Sequence, residues 1–80
     1  MLDTSSGTLA GILWQYRRGL ITNPELDSLT TGLCYRAAQA AWNAGTVPRG
    51  RVAAAELAAL RARWEAARQL ADEDNRQHAA

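Results

Sequence analysis

Eighty residues make one domain at most, and a chain this short hides only about 60% of the surface that its unfolded form exposes. One cysteine, Cys34, excludes an internal disulfide, and a single histidine, His78, leaves a structural zinc site without ligands. The net charge of +1 predicts no strong field toward nucleic acid or a membrane, and all nine basic residues are arginine.

The residue types favour helix. Alanine and leucine dominate the apolar 48%, phenylalanine is absent, and β-branched apolar residues are scarce. The first predicted helix spans 7–18. Hydroxyls of Ser6–Thr8 can cap its start, and Gly19 can take the left-handed conformation after a last turn holding Arg17 and Arg18. Leu9, Ile12, Leu13, Tyr16 and Leu20 recur at helical spacing on one stripe. The second helix is expected over 24–44. Asn23-Pro24 reads as cap and first helical residue, and Thr22 with Glu25 alternatively makes a capping box. Leu26, Leu29, Leu33, Ala37, Ala40 and Ala44 line one side, and Gly45 ends the helix.

The loop TVPRGR carries Pro48 and Gly50 and leads to a third helix over 50–73. Its stripe is Ala53, Leu57, Leu60, Trp64, Ala67 and Ala71. Arg61–Glu65, Arg68–Asp72 and Asp72–Arg76 are spaced to pair on the wet side. The tail, 75–80, is expected to fray. Short connections make neighbouring helices antiparallel. The expected fold is therefore all-α over a single domain, 1–80: a three-helix bundle, or a helical hairpin plus a longer third helix.

Within this pattern, Leu9 to Leu33 (LAGILWQYRRGLITNPELDSLTTGL) resembles the short helical hairpin called SHOCT. Gly19, Leu20, Ile21, Thr22, Glu25, Leu26 and Leu29 carry the likeness. The resemblance implies a short helical module of the kind appended to other domains, with an interaction role. It covers under a third of the chain, and it departs from the pattern at Pro24 and in the long third helix. No functional residue is carried over from it.

Catalytic chemistry has little material. A nucleophile needs a base beside it, yet Cys34 has no histidine on its helix and His78 is in the tail. Cys34 reads instead as a small buried hydrophobe. Glu25 and Asp27 sit at a helix start, where they favour the dipole, and no glycine-rich phosphate loop exists. The expectation is no enzyme, no catalytic or metal-binding residue, no cofactor and no small-molecule substrate. The N-terminal segment lacks a basic leader, no apolar run approaches a membrane span, and the lone thiol suits a reducing compartment. A cytoplasmic protein with no membrane partner is expected, and the alanine–arginine usage suggests a bacterial or phage source.

Aromatic residues off the leucine stripes are the stronger functional signal, because tryptophan, tyrosine and arginine dominate interface hot spots. Trp14 falls opposite the first helix's stripe with Arg17 and Arg18, and Arg18 is spaced to lie over the Trp14 ring. Tyr35 and Trp42 make a ridge on the second helix, which is either contact surface or packing against the third helix. On the third helix, Ala55, Ala58, Ala59, Ala62 and Ala66 form a smooth strip that is either a seat for another helix or filler. The leading expectation is a non-enzymatic protein–protein interaction module acting through a helical surface, such as an adaptor or a phage-type inhibitor. Its partner would be another protein or a second copy of itself, with Trp14, Arg17, Arg18, Tyr35 and Trp42 as the contact residues. The alternative is a small DNA-binding regulator with a helix-turn-helix-like pair, using Arg49, Arg51, Arg61 and Arg63.

Overall fold

The computed structural model describes residues 3–78 and contains three helices and no strand among them. Helix α1 spans Leu9–Arg17, α2 spans Asn23–Ala44 and α3 spans Arg51–His78. The all-α class with three helices is thus the observed one.

Each helix boundary has a local cause. Thr8 caps α1 by accepting from the Gly11 N–H at 3.1 Å. Asp3 holds that cap in place, accepting from the Thr8 hydroxyl and from the Ser5 N–H at 2.9 Å. At the other end Gly19 is left-handed (φ 73°). The Gly19 N–H donates to the Tyr16 carbonyl and the Leu20 N–H to the Gln15 carbonyl, which is a Schellman closure. At the start of α2, the Glu25 N–H donates to the Thr22 Oγ1 at 3.3 Å and the Thr22 N–H to the Glu25 Oε1 at 3.1 Å. The capping box is therefore complete, with Pro24 in the first turn. The same Schellman pattern ends α2: Gly45 (φ 71°) and Thr46 donate to the carbonyls of Trp42 and Ala41.

The third helix differs from the sequence expectation at its end. It runs on to His78 instead of stopping at Glu73. Nothing in Asp74-Asn75-Arg76-Gln77 is a glycine or proline, so there is no backbone reason to stop. The last two residues of the expected fraying tail, and the His78 side chain, lie outside the described residues.

Helix α2 is the common neighbour. It packs against α3 along its length and against α1 near its start, whereas α1 and α3 do not approach each other. The Tyr16 hydroxyl donates to Asn23 Oδ1 at 2.6 Å and ties the end of α1 to the start of α2. The three helices consequently lie side by side as an open layer measuring 45 × 34 × 13 Å. The radius of gyration is 14.6 Å, against about 12 Å for a compact 80-residue domain.

An open layer buries little. Ile12 is the one side chain of its size fully enclosed, and Ala67 and Ala71 are the other buried apolar residues among those described. The α2–α3 seam is held by a flat contact: Trp64 lies against Gly32, where a Cβ would stand 2.8 Å from the indole Nε1. Tyr35 stacks on the same indole with centroids 5.5 Å apart and planes at 20°. On the other side of the molecule, residues 3–6 fold over Gly11, where a Cβ would overlap the Ser5 carbonyl. Gln15 Nε2 fastens that segment by donating to the Thr4 carbonyl at 2.7 Å.

Candidate interaction surface

The five expected contact residues are not brought together. Trp14 is half-buried on α1 with the Arg18 guanidinium 5.5 Å above its ring, as the four-residue spacing predicts, and Arg17 and Arg18 are exposed. Tyr35 lies in the α2–α3 seam against Trp64 and is part of the packing. Its hydroxyl donates along α2 to Gln39 Oε1 at 3.3 Å. The ridge expected on α2 is thus turned toward α3, because α3 packs on the side of α2 opposite the leucine stripe. Trp42 follows the same ridge but stays on a surface, lining a cleft at the loop end.

Each tryptophan carries an arginine. Besides Arg18 on Trp14, Arg49 lies 5.5 Å from the Trp42 ring and Arg68 lies 4.9 Å from Trp64. Arg49 also donates to the Trp42 carbonyl at 2.6 Å and so folds the 46–50 loop back on the end of α2. Of the expected pairs along α3, Arg61–Glu65 forms at 3.1 Å, with both side chains largely exposed, so it is worth only about 0.3–0.5 kcal/mol. Arg68 serves the Trp64 ring.

Two clefts open where α2 meets α3, one at each end of the layer. The first, about 590 Å³, joins the end of α2 to the start of α3. Its walls include Ala41, Trp42, Val47, Val52 and Leu57, and Arg49 and Arg51 stand at its edge. The second, about 470 Å³, joins the start of α2 to the end of α3 through Pro24, Asp27, Leu70, Glu73 and Asp74. At 100° per residue, Asp27, Cys34, Ala38 and Ala41 fall within about 60° of one another on α2. Val52, Glu56, Leu70 and Gln77 do the same on α3. Both clefts therefore open on one face of the layer. Large apolar side chains are exposed there: Val47 at 38%, Val52 at 73% and Leu70 at 59%.

Sequence reasoning passed over Val52 and Leu70 because they lie off the third helix's leucine–alanine stripe. Their spacing is five helical turns, and that alignment was the available signal. Cys34, expected to be buried, is exposed. The reason is the same displacement of the seam toward Gly32 and Tyr35, which leaves Cys34 on the open face midway along α2. The alanines of the smooth strip, Ala55, Ala58, Ala59, Ala62 and Ala66, are all exposed as well.

The arginines of the DNA-binding alternative do not converge. Arg61 and Arg63 are about 200° apart around α3, Arg61 is paired with Glu65, and Arg49 is folded onto Trp42. The two clefts show α2 and α3 packed side by side from end to end, an antiparallel hairpin, where a helix-turn-helix crosses its helices at about 90–120°.

The Asp3 carboxyl titrates below its ordinary range. The hydrogen bond from the Thr8 hydroxyl, and after it that from the Ser5 N–H, hold its pKa below the ordinary aspartate value. It belongs to the α1 cap and lines neither cleft. Among the described residues no group of three His, Cys, Asp or Glu is placed to hold a metal ion, and no helix is long and apolar enough to cross a membrane. No family model, curated protein or solved structure matches the chain.

Proposed function

We propose that this chain is a non-enzymatic protein–protein interaction module that works through a helical surface, in the manner of a small adaptor or a phage-type inhibitor. One observation carries the reading: the layer has far more surface than a finished domain of its mass. Its accessible area is 5816 Å² for 8.7 kDa. A compact monomer of that mass exposes about 4,700 Å². The surplus of about 1,100 Å² exceeds the roughly 800 Å² that each partner contributes to a standard interface. Part of the apolar exposure lies at the two clefts, at Val47, Val52 and Leu70, and part on and just after α1, at Leu9, Tyr16 and Leu20.

In this reading the cleft-bearing face makes the contact and Trp42 is its aromatic anchor. Trp14, with Arg17 and Arg18, forms a separate edge on α1. The exposed thiol of Cys34 suits a reducing compartment, so a cytoplasmic setting is part of the proposal.

The test is affinity capture from the cells that make the protein, with mass spectrometry as readout and an untagged copy of the chain included. The tagged wild type should retain a partner, either another protein or the untagged copy. Val52→Asp and Leu70→Asp should lose it while keeping their helical circular dichroism. Retention of nothing by the folded wild type overturns the proposal.

A further inference from the structure

We propose that the cleft-bearing face of α2 and α3 binds a second copy of this chain. The two layers stack face to face with their helices antiparallel, so that the Leu70 end of each copy sits on the Val52 end of the other. The inference rests on the interaction-module reading and commits it to one occupant.

Charge complementarity selects that occupant. The first cleft presents Arg49 and Arg51, with a single carboxylate, Glu56, further along its wall. The second presents Asp27 and Glu73 beside Asp74, with no basic residue in its lining. The same face of one chain therefore carries both halves of a complementary pair, at opposite ends. A two-fold axis lying in the interface and perpendicular to the helices brings unlike ends together and repeats the contact twice. An axis parallel to the helices instead sets Arg49 and Arg51 against their own copies at one end and the carboxylates against theirs at the other, whereas the perpendicular axis does so only for Arg63, midway along α3 on the same face. The net charge of +1 adds almost no repulsion between chains.

Shape and area agree. Leu70, at 59% exposure, projects beside the acidic cleft, and the facing cleft is an apolar groove of about 590 Å³ walled by Val47, Val52 and Leu57. The surplus area of the layer, about 1,100 Å², is what one side of a stable dimer needs. Stacking two layers also gives α2 and α3 a second row of helices to pack on, which completes the core that one copy lacks. The two-fold axis then passes near the middle of α2, where Cys34 is exposed, and places it close to the partner's Cys34.

Sedimentation velocity over a concentration series tests this, with helical circular dichroism confirming that each variant is folded. The wild type should sediment as a dimer that dissociates on dilution. Leu70→Asp should be monomeric, and Leu20→Asp, on an exposed leucine away from the face, should keep the wild-type dimer. Arg51→Glu and Glu73→Arg should each weaken the dimer about tenfold, because each removes two symmetry-related attractions and creates two repulsions. The double variant Arg51→Glu/Glu73→Arg should recover the wild-type affinity. Diamide should link the wild type through Cys34 faster than it links Leu70→Asp. A monomeric wild type at all concentrations overturns the second-copy assignment, as does a double variant no better than the single ones. If the monomeric chain still captures a different protein through Val52 and Leu70, the module reading survives; if it captures nothing, both fail.

Discussion

Gly32→Ala sets two opposed effects against each other at one position. Replacing a helical glycine by alanine favours α2 by about 1 kcal/mol, because glycine loses the most backbone freedom on folding. Here the new methyl would stand 2.8 Å from Nε1 of Trp64 and 3.2 Å from its Cδ1. The indole cannot yield easily: Tyr35 is stacked on it and Arg68 lies over it. Forcing a methylene-sized group into such a seam costs about 1–3 kcal/mol. Taking the middle of that range, the net effect is a loss of about 1 kcal/mol, which lowers the melting temperature of a domain this size by about 4–8 °C. In a Trp64→Leu background the obstruction is gone and the sign reverses. Gly32→Ala should then raise the melting temperature by about the same amount, giving a coupling of about 2 kcal/mol between the two positions. Thermal unfolding followed by circular dichroism at one fixed concentration of the four proteins measures it. If Gly32→Ala stabilises the wild type as much as it stabilises Trp64→Leu, the indole does not rest on Gly32 and the α2–α3 seam described here is wrong.

Other positions give simpler expectations. Ile12→Ala should cost about 2–5 kcal/mol, since Ile12 is fully enclosed, and a chemical-denaturation midpoint close to that of the wild type would contradict that enclosure. Thr22→Ala removes the Thr22 side-chain half of the capping box and should cost about 0.5–2 kcal/mol, visible in the same denaturation series. Asp3 has a pKa below its unfolded value, so its contribution to the α1 cap is complete above about pH 3.9 and is lost as the pH falls through the lower folded value. An NMR titration of the Asp3 carboxyl should show that depressed pKa, and Thr8→Ala should move it back toward the ordinary one. Arg49→Ala should release the 46–50 loop from Trp42, seen as faster amide hydrogen exchange at Thr46 and Val47 with little change in α3.

What was legible in the sequence was local. Thr8, the Thr22–Glu25 pair, Gly19 and Gly45 mark the helix ends because capping depends on residues a few positions apart. The Trp14–Arg18 pair follows from the same short spacing. The end of α3 was not legible, because residues 74–77 hold no glycine or proline to mark a stop and the helix runs on through them. The side of α2 that carries Tyr35 and Trp42 was undecidable from helical phase, which gives the angle between stripes but not which neighbour occupies each. Gly32 decides it: a position without a side chain lets Trp64 approach, and that approach draws Tyr35 into the seam and leaves Cys34 outside. The open layer was equally hidden. Short connections fix the order of helices but not whether α1 closes onto α3, and α1 stays open although Leu9, Tyr16 and Leu20 are left exposed on and just after it.

The central claim is that the folded chain is an open layer with one face left for a partner. Small-angle X-ray scattering through a dilution series measures mass and shape together. The account predicts a particle of twice 8.7 kDa at high concentration, passing on dilution to a single chain with a radius of gyration near 14.6 Å. A single chain at every concentration with a radius near 12 Å, the value of a closed 80-residue domain, would contradict it.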